Sequence, residues 1–432
     1  MKLEPITVRE HERIETELPE HIQQAIKEDQ LRRTSRIRID RLRYLGVEYD
    51  WQKGFSAGYY VGLSWLDEES ETALIVKPKI EDIDYATLFL RCFEDKASND
   101  GLDEIFHIDI DTTPIEIPAN TFQLEPLIII YFISLVERIV RSGLRKDYVQ
   151  REETMTAKIK GRIMLTQYVK RGIATHRTDK IPCRYQEYCE DCLDNRILKR
   201  AMLLARDMLT RNATGMGRLS APLRETLSAC LSAFENVSSQ VSLQDLHRVR
   251  INPLFRDYKA AVNMAKMIIR KQGYCVQQGL QSGTQFFPPF TINMPLLFER
   301  YVLSLLRERY QDKIDFQVNA GDSIPDFTKP DEHMILDSKY IPAWREEKDI
   351  ADNVRQLSGY GRHKKIRQRM GITDETTICP CMVIYPDQDG VDSMLELSDQ
   401  LFLDSHVKEL KNYIMFKKLG IRMPMQGQRF HG

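Results

Sequence analysis

Two acids and a lysine in the last third of this chain have the types and spacing to act on a phosphodiester. Ile324-Pro325-Asp326-Phe327 is followed by a turn, Lys329-Pro330-Asp331-Glu332, and then by Ile335-Leu336-Asp337-Ser338-Lys339-Tyr340. Side chains on a strand alternate between faces, so Asp337 and Lys339 project the same way. Met334, Ile335 and Leu336 form the apolar run that anchors such a strand in a core. A neighbouring strand through Asp326 brings a second carboxylate to the same point. Two carboxylates and an ammonium there suit a hard divalent cation and a water beside a phosphodiester, with Mg²⁺ the natural ion and Mn²⁺ able to replace it. An isolated Asp-x-Lys also arises on solvated strands and turns, so the flanking residues decide its weight.

Those residues extend the pattern. Met294-Pro295-Leu296-Leu297-Phe298-Glu299 opens an amphipathic helix with Leu297, Tyr301 and Leu305 at helical spacing. Glu299 is expected in its first turn, where a carboxylate either tips toward a neighbouring strand or complements the helix N-terminus. Downstream, Gln356 and Tyr360 stand four apart on one face of a second helix. The order helix acid, Pro-Asp, Asp-x-Lys, Gln-x-x-x-Tyr resembles the PD-(D/E)xK nuclease superfamily, in its restriction-endonuclease-like and RecB-like branch. Gly143-Leu144-Arg145-Lys146-Asp147-Tyr148, Arg151-Glu152-Glu153, Lys160-Gly161-Arg162-Ile163, Cys183-Arg184-Tyr185-Gln186-Glu187-Tyr188 and Asp194-Asn195-Arg196-Ile197-Leu198-Lys199 look like the middle of McrC-type proteins. McrC is the nuclease subunit of modification-dependent McrBC restriction systems. The resemblance covers roughly residues 120 to 385 and is loose over the first hundred.

The resemblance implies roles for the candidate residues. Asp326 and Asp337 would hold Mg²⁺, with the Ser338 carbonyl as a third protein ligand. Glu299 would bind the same or a second ion, directly or through water. Lys339 would orient the attacking water and stabilise developing charge, and Gln356 and Tyr360 would position the scissile strand or the water. It also implies double-stranded DNA as substrate and an AAA+ GTPase partner of McrB type that recognises the modified DNA. The N-terminal region would engage that partner and stimulate its GTP hydrolysis. A motor-coupled repair or other defence nuclease would have the same site. A DNA-binding or motor-activating subunit with an inactive nuclease fold is the non-enzymatic alternative.

Composition sets the frame. The chain has 432 residues, 42% hydrophobic and 29% charged, enough for two or three domains. Net charge is -1, so any nucleic-acid surface is local and offset elsewhere. No Gly-x-x-x-x-Gly-Lys-Ser/Thr loop occurs, so no nucleotide is expected to be bound by this chain alone. The most apolar window, Leu127 to Val136, is too short for a bilayer and reads as a buried helix. With no secretion-signal pattern at the start, a cytoplasmic location without membrane contact is expected. Eight cysteines in a chain this long do not form a disulfide framework; Cys189-Glu190-Asp191-Cys192 lacks a second ligand pair at zinc spacing.

The pattern predicts an α/β, multidomain protein. Residues 1–120 read as a β-rich N-terminal domain, with strands at Ile6-Thr7-Val8, Tyr59 to Leu63 and Ala73 to Val76. Its basic run Arg32, Arg33, Arg36, Arg38, Arg41 and Arg43 is either a solvated face or the partner contact. Residues 121–285 read as mainly helical, with basic residues from Arg138 to Arg162 that either pair internally or touch DNA. Residues 286–432 read as a restriction-endonuclease-like mixed sheet flanked by helices. There a helix over 349–368 carries Arg355, Arg362, Lys364, Lys365 and Arg367, the basic surface expected to track phosphates.

Overall fold

A computed structural model gives the structure of the chain. It describes residues 5–425 except 17, 35–46, 53, 70, 95–101, 110–111, 119–124, 175, 212–220, 250–254, 278–283, 322–323, 343 and 345–346. The chain forms two compact units, one of Met1–Leu127 with Ser282–Gly432, the other of Ile128–Gln281. The architecture is the mixed α/β one expected, with several sheets.

The first unit holds a six-stranded mixed sheet ordered Asp315–Phe316, Phe327–Lys329, Met334–Ser338, Cys381–Val391, Phe416–Ile421, Lys408–Glu409. The first three strands are antiparallel; Met334–Ser338, Cys381–Val391 and Phe416–Ile421 then run parallel. Met334, Ile335 and Leu336 are completely buried, as a central strand covered on both faces requires. Helix Glu347–Arg362 sets Val354 and Leu357 against Ile335, Val383 and Tyr385. The helix expected over 349–368 is two, because His363 is extended and Lys364–Arg369 starts afresh.

The boundary expected at 286 does not separate two bodies. Strand Phe290–Asn293 lies inside a five-stranded sheet, ordered Ile6–Arg9, Thr72–Lys77, Tyr60–Asp67, Phe290–Asn293, Phe106–Ile108. It pairs antiparallel with Tyr60–Asp67 on one side and Phe106–Ile108 on the other. Backbone groups in a sheet interior need partners, and on one side here they come from residues more than two hundred positions away in sequence. The strand runs straight into helix Met294–Tyr310, whose N-cap Asn293 accepts from the Leu296 amide at 3.1 Å.

The second unit is built on helices Leu193–Arg211 and Arg256–Gln277, which pack together. It also holds a long antiparallel hairpin, Asp147–Thr156 with Lys180–Cys189, which the sequence did not announce. The McrC-like motifs of this region meet one another. Asn195 is buried, donates to the carbonyls of Arg145 (2.9 Å) and Glu190 (2.7 Å), and accepts from the Tyr258 hydroxyl (2.8 Å). Arg145 pairs with Asp194 and Asp147, and Asp191 takes both Arg151 and Arg196. Much of the basic run from Arg138 is therefore internal ion pairing: Arg138 to Asp257, Arg141 to Glu137, Lys146 to Glu190 and Lys160 to Glu187. Leu127 to Val136 is a buried stretch of helix Glu125–Ser142. Among the described residues no helix is long and apolar enough to cross a membrane. Seven cysteines there are free thiols.

Candidate active site

The strand Met334–Ser338 and the turn before Phe327 bring the two aspartates into one electrostatic neighbourhood. Asp337 is only 1% exposed, and Lys339 Nζ lies 2.6 Å from its Oδ2. Alternation along the strand gives this pairing, as expected. Apart from that ion pair, no hydrogen-bond donor among the described residues meets either Asp337 oxygen. Burial, then the nearby Asp326 charge, pushes the Asp337 carboxyl up to about 7. Burial also opposes charge on Lys339, but Asp337 outweighs it and raises the ammonium pKa.

Asp326 precedes strand Phe327–Lys329. Its Oδ2 accepts from the Ser338 amide at 2.8 Å and the Ser338 hydroxyl at 2.9 Å. Burial raises its pKa despite these bonds and the Lys339 charge. Ser338 thus orients Asp326 through its amide and hydroxyl, a role the sequence does not mark.

Glu299 belongs to the second turn of its helix, not the first, because the helix begins at Met294. That removes the reading as a simple N-terminal charge. Burial first, then Asp326, lifts its carboxyl to about 7, while the Gln317 amide, donating at 2.9 Å, works the other way. Gln356 Nε2 donates to the Tyr360 hydroxyl at 2.8 Å, one helical turn on. Tyr360 is close enough to Lys339 for the two to interact electrostatically.

The oxygen-only donor set fits Mg²⁺. Among the described residues no three acidic, histidine or cysteine side chains are gathered tightly enough to cage an ion alone. Mg²⁺ does not need such a cage: it commonly takes one or two carboxylates and completes its octahedron with water and substrate oxygens. Buried carboxylates that repel one another, with Lys339 as the counter-charge beside Asp337, are what a cation would relieve further.

The basic residues divide. Arg355, Arg362, Lys364 and Lys365 are exposed, and Arg355 pairs with Asp352. Arg367 is committed elsewhere: its guanidinium donates to the carbonyls of Gly361 (3.1 Å), Thr377 (3.0 Å) and Asp374, and to Cys379 Sγ (3.3 Å). It clamps the loop after the helix and is not a free phosphate contact. Arg32 and Arg33 fall in the last turn of helix Glu20–Thr34, and Arg36, Arg38, Arg41 and Arg43 lie outside the described residues.

Residues 57–362 match the family model described as McrBC 5-methylcytosine restriction system component. The chain belongs to the McrBC family. Among solved structures it is similar to a refined half-complex from the tetradecameric assembly of Thermococcus gammatolerans McrB AAA+ hexamers with bound McrC. That likeness covers 99% of this chain and 97% of that one, at 17% identity and a TM-score of 0.41. It is also similar to the cryo-EM structure of the Thermococcus gammatolerans McrBC complex, over 70% of this chain and 87% of that one, at 17% identity and a TM-score of 0.30. No curated protein matches it.

Proposed function

We propose that this McrBC-family chain is the nuclease subunit of a modification-dependent restriction complex. It hydrolyses phosphodiester bonds of double-stranded DNA with Mg²⁺, coupled to an AAA+ GTPase partner of McrB type. The observation that carries the reading is the buried Asp337, ion-paired to Lys339 and electrostatically joined to Asp326 and Glu299. Family membership supports the restriction role. The chain has no Gly-x-x-x-x-Gly-Lys-Ser/Thr loop of its own, which supports a separate nucleotide-hydrolysing partner.

Asp326 and Asp337 would hold the ion, with the Ser338 carbonyl and Glu299 as further oxygen donors. When bound, Mg²⁺ would supply an activated water and charge neutralisation at the phosphoryl oxygens. Lys339, held beside Asp337 at 2.6 Å, would orient the attacking water or stabilise the developing charge. Gln356 and Tyr360 form one hydrogen-bonded pair beside Lys339 and position the strand. Arg355, Arg362, Lys364 and Lys365 present cations to the backbone without reading sequence.

The test uses the full chain with its AAA+ partner, GTP, Mg²⁺ and 5-methylcytosine-containing DNA. Asp337→Ala should lose cleavage by at least about 100-fold. Lys339→Ala should lose rate far more than DNA affinity, because one lysine is a small part of a phosphate-binding surface. Cleavage by Asp337→Ala at the wild-type rate would remove the site assignment. Affinity falling in proportion to rate would make Lys339 a binding residue.

A further inference from the structure

Gln317 is the residue of this site that the sequence hides. It follows strand Asp315–Phe316, and its backbone lies in the left-handed region, at φ +47°. That region disfavours residues with a side chain, whereas glycine enters freely and asparagine readily. Two hydrogen bonds accompany this conformation. The Gln317 amide N–H donates to the Asp326 carbonyl at 2.9 Å, and its side-chain Nε2 donates to Glu299 Oε1 at 2.9 Å. A single residue thus ties the backbone of one acid to the carboxylate of another, which belongs to a different element.

The two bonds make different demands. Holding the Asp326 carbonyl needs only a backbone N–H, which glycine would supply without strain. Reaching Glu299 needs a side chain of this length ending in a donor. The left-handed turn is therefore explained by the carboxamide. The Glu299 carboxylate takes this bond on Oε1, and the bond restricts its rotation. The geometry points to Gln317 as a positioning residue of the metal site, orienting Glu299 as an oxygen donor alongside Asp326. This inference rests on the nuclease reading above. It predicts a role of the kind that outer-shell partners have, where losing the hydrogen bond weakens the metal without removing a ligand.

The test is Mn²⁺ binding to the full chain without DNA, followed by titration calorimetry, with the unfolding temperature measured alongside. Gln317→Gly and Gln317→Asn both suit the left-handed backbone, and neither reaches Glu299. Both should bind Mn²⁺ about tenfold more weakly, with unfolding temperatures equal to or above wild type. Affinities within twofold of wild type overturn the inference. So does a loss of affinity that merely accompanies a fall in unfolding temperature in both variants, since a collapsed turn then explains it. Asp337→Ala separates the two levels. If it abolishes binding while the Gln317 variants do not weaken it, only the role of Gln317 fails. If it binds as wild type does, the metal-site reading fails and takes the inference with it.

Discussion

At the residue scale the candidate site is a set of buried acids in an environment that resists their charge. Burial and Asp326 lift both Asp337 and Glu299 to about 7, above an unfolded value of about 4. A raised carboxylate pKa means the folded state holds the proton more tightly. The associated stability is complete below about pH 4 and is lost as pH rises through about 7. With a chelator present, the unfolding temperature should fall between about pH 4 and about pH 7. Glu10, also lifted to about 7 by burial, contributes to the same trend. The share belonging to Asp337 is isolated by Asp337→Asn, which keeps the shape and removes the charge. Scanning calorimetry should show a smaller pH-dependent fall for the variant, and at about pH 8 an unfolding temperature no lower than wild type. Equal falls for both proteins would mean that Asp337 is not charged at a cost. The aspartates and Lys339 were legible because alternation on a strand is geometry that any Asp-x-Lys must obey. Gln317 was not, because nothing in a glutamine codon announces a left-handed backbone. Arg367 was misread because its carbonyl partners, from Gly361 to Thr377, gather around it only when the loop folds back.

At the element scale, apolar periodicity located what it could. Leu297, Tyr301 and Leu305 are all buried on helix Met294–Tyr310, and Met334 to Leu336 form the central strand. The hairpin Asp147–Thr156 with Lys180–Cys189 escaped because little of it is buried. Its register is written in charge, with Arg184 on Glu152 and the Tyr185 hydroxyl on Glu153, and not in alternating apolar residues. The glycine at 62 shows how closely the elements fit. It lies at φ +152° opposite Thr291, and a Cβ there would fall 2.1 Å from the Phe290 carbonyl oxygen. Gly62→Ala should destabilise the fold by roughly 2–4 kcal/mol through strain and overpacking. Because strand Phe290–Asn293 launches the helix bearing Glu299, Mn²⁺ binding should weaken too, although Gly62 is on a strand with none of the acids. Chemical denaturation and Mn²⁺ titration check both; an alanine variant as stable as wild type would contradict the close approach.

At the scale of the whole molecule, the division of the chain was the least legible feature. Sheet pairing between positions near 60, 106 and 290 is non-local, and no window of sequence contains it. The consequence is that the acids cannot be separated from the N-terminal residues by cutting at 286. A fragment of 286–432 would leave strand Phe290–Asn293 with two unpaired edges and its buried Phe290 and Ile292 bare. It would also lose Glu10, which accepts from the Tyr340 hydroxyl at 3.3 Å just beyond Lys339, and Lys79, whose ammonium stands 4.7 Å from the Tyr340 ring. This fragment should aggregate or unfold without a cooperative transition, and should not bind Mn²⁺. The opposite surgery respects the units. Replacing Ile128–Gln281 by a flexible linker keeps the five-stranded and six-stranded sheets of the first unit and all the candidate ligands. That protein should melt cooperatively and keep Mn²⁺ binding, read by circular dichroism and calorimetry. A 286–432 fragment that folds alone would show that the N-terminal strands are accessory. Joint failure of fragment and linker protein would show instead that the second unit is needed for the first to fold. Success of the linker protein alone would place metal binding, and helix Glu20–Thr34, in one indivisible body.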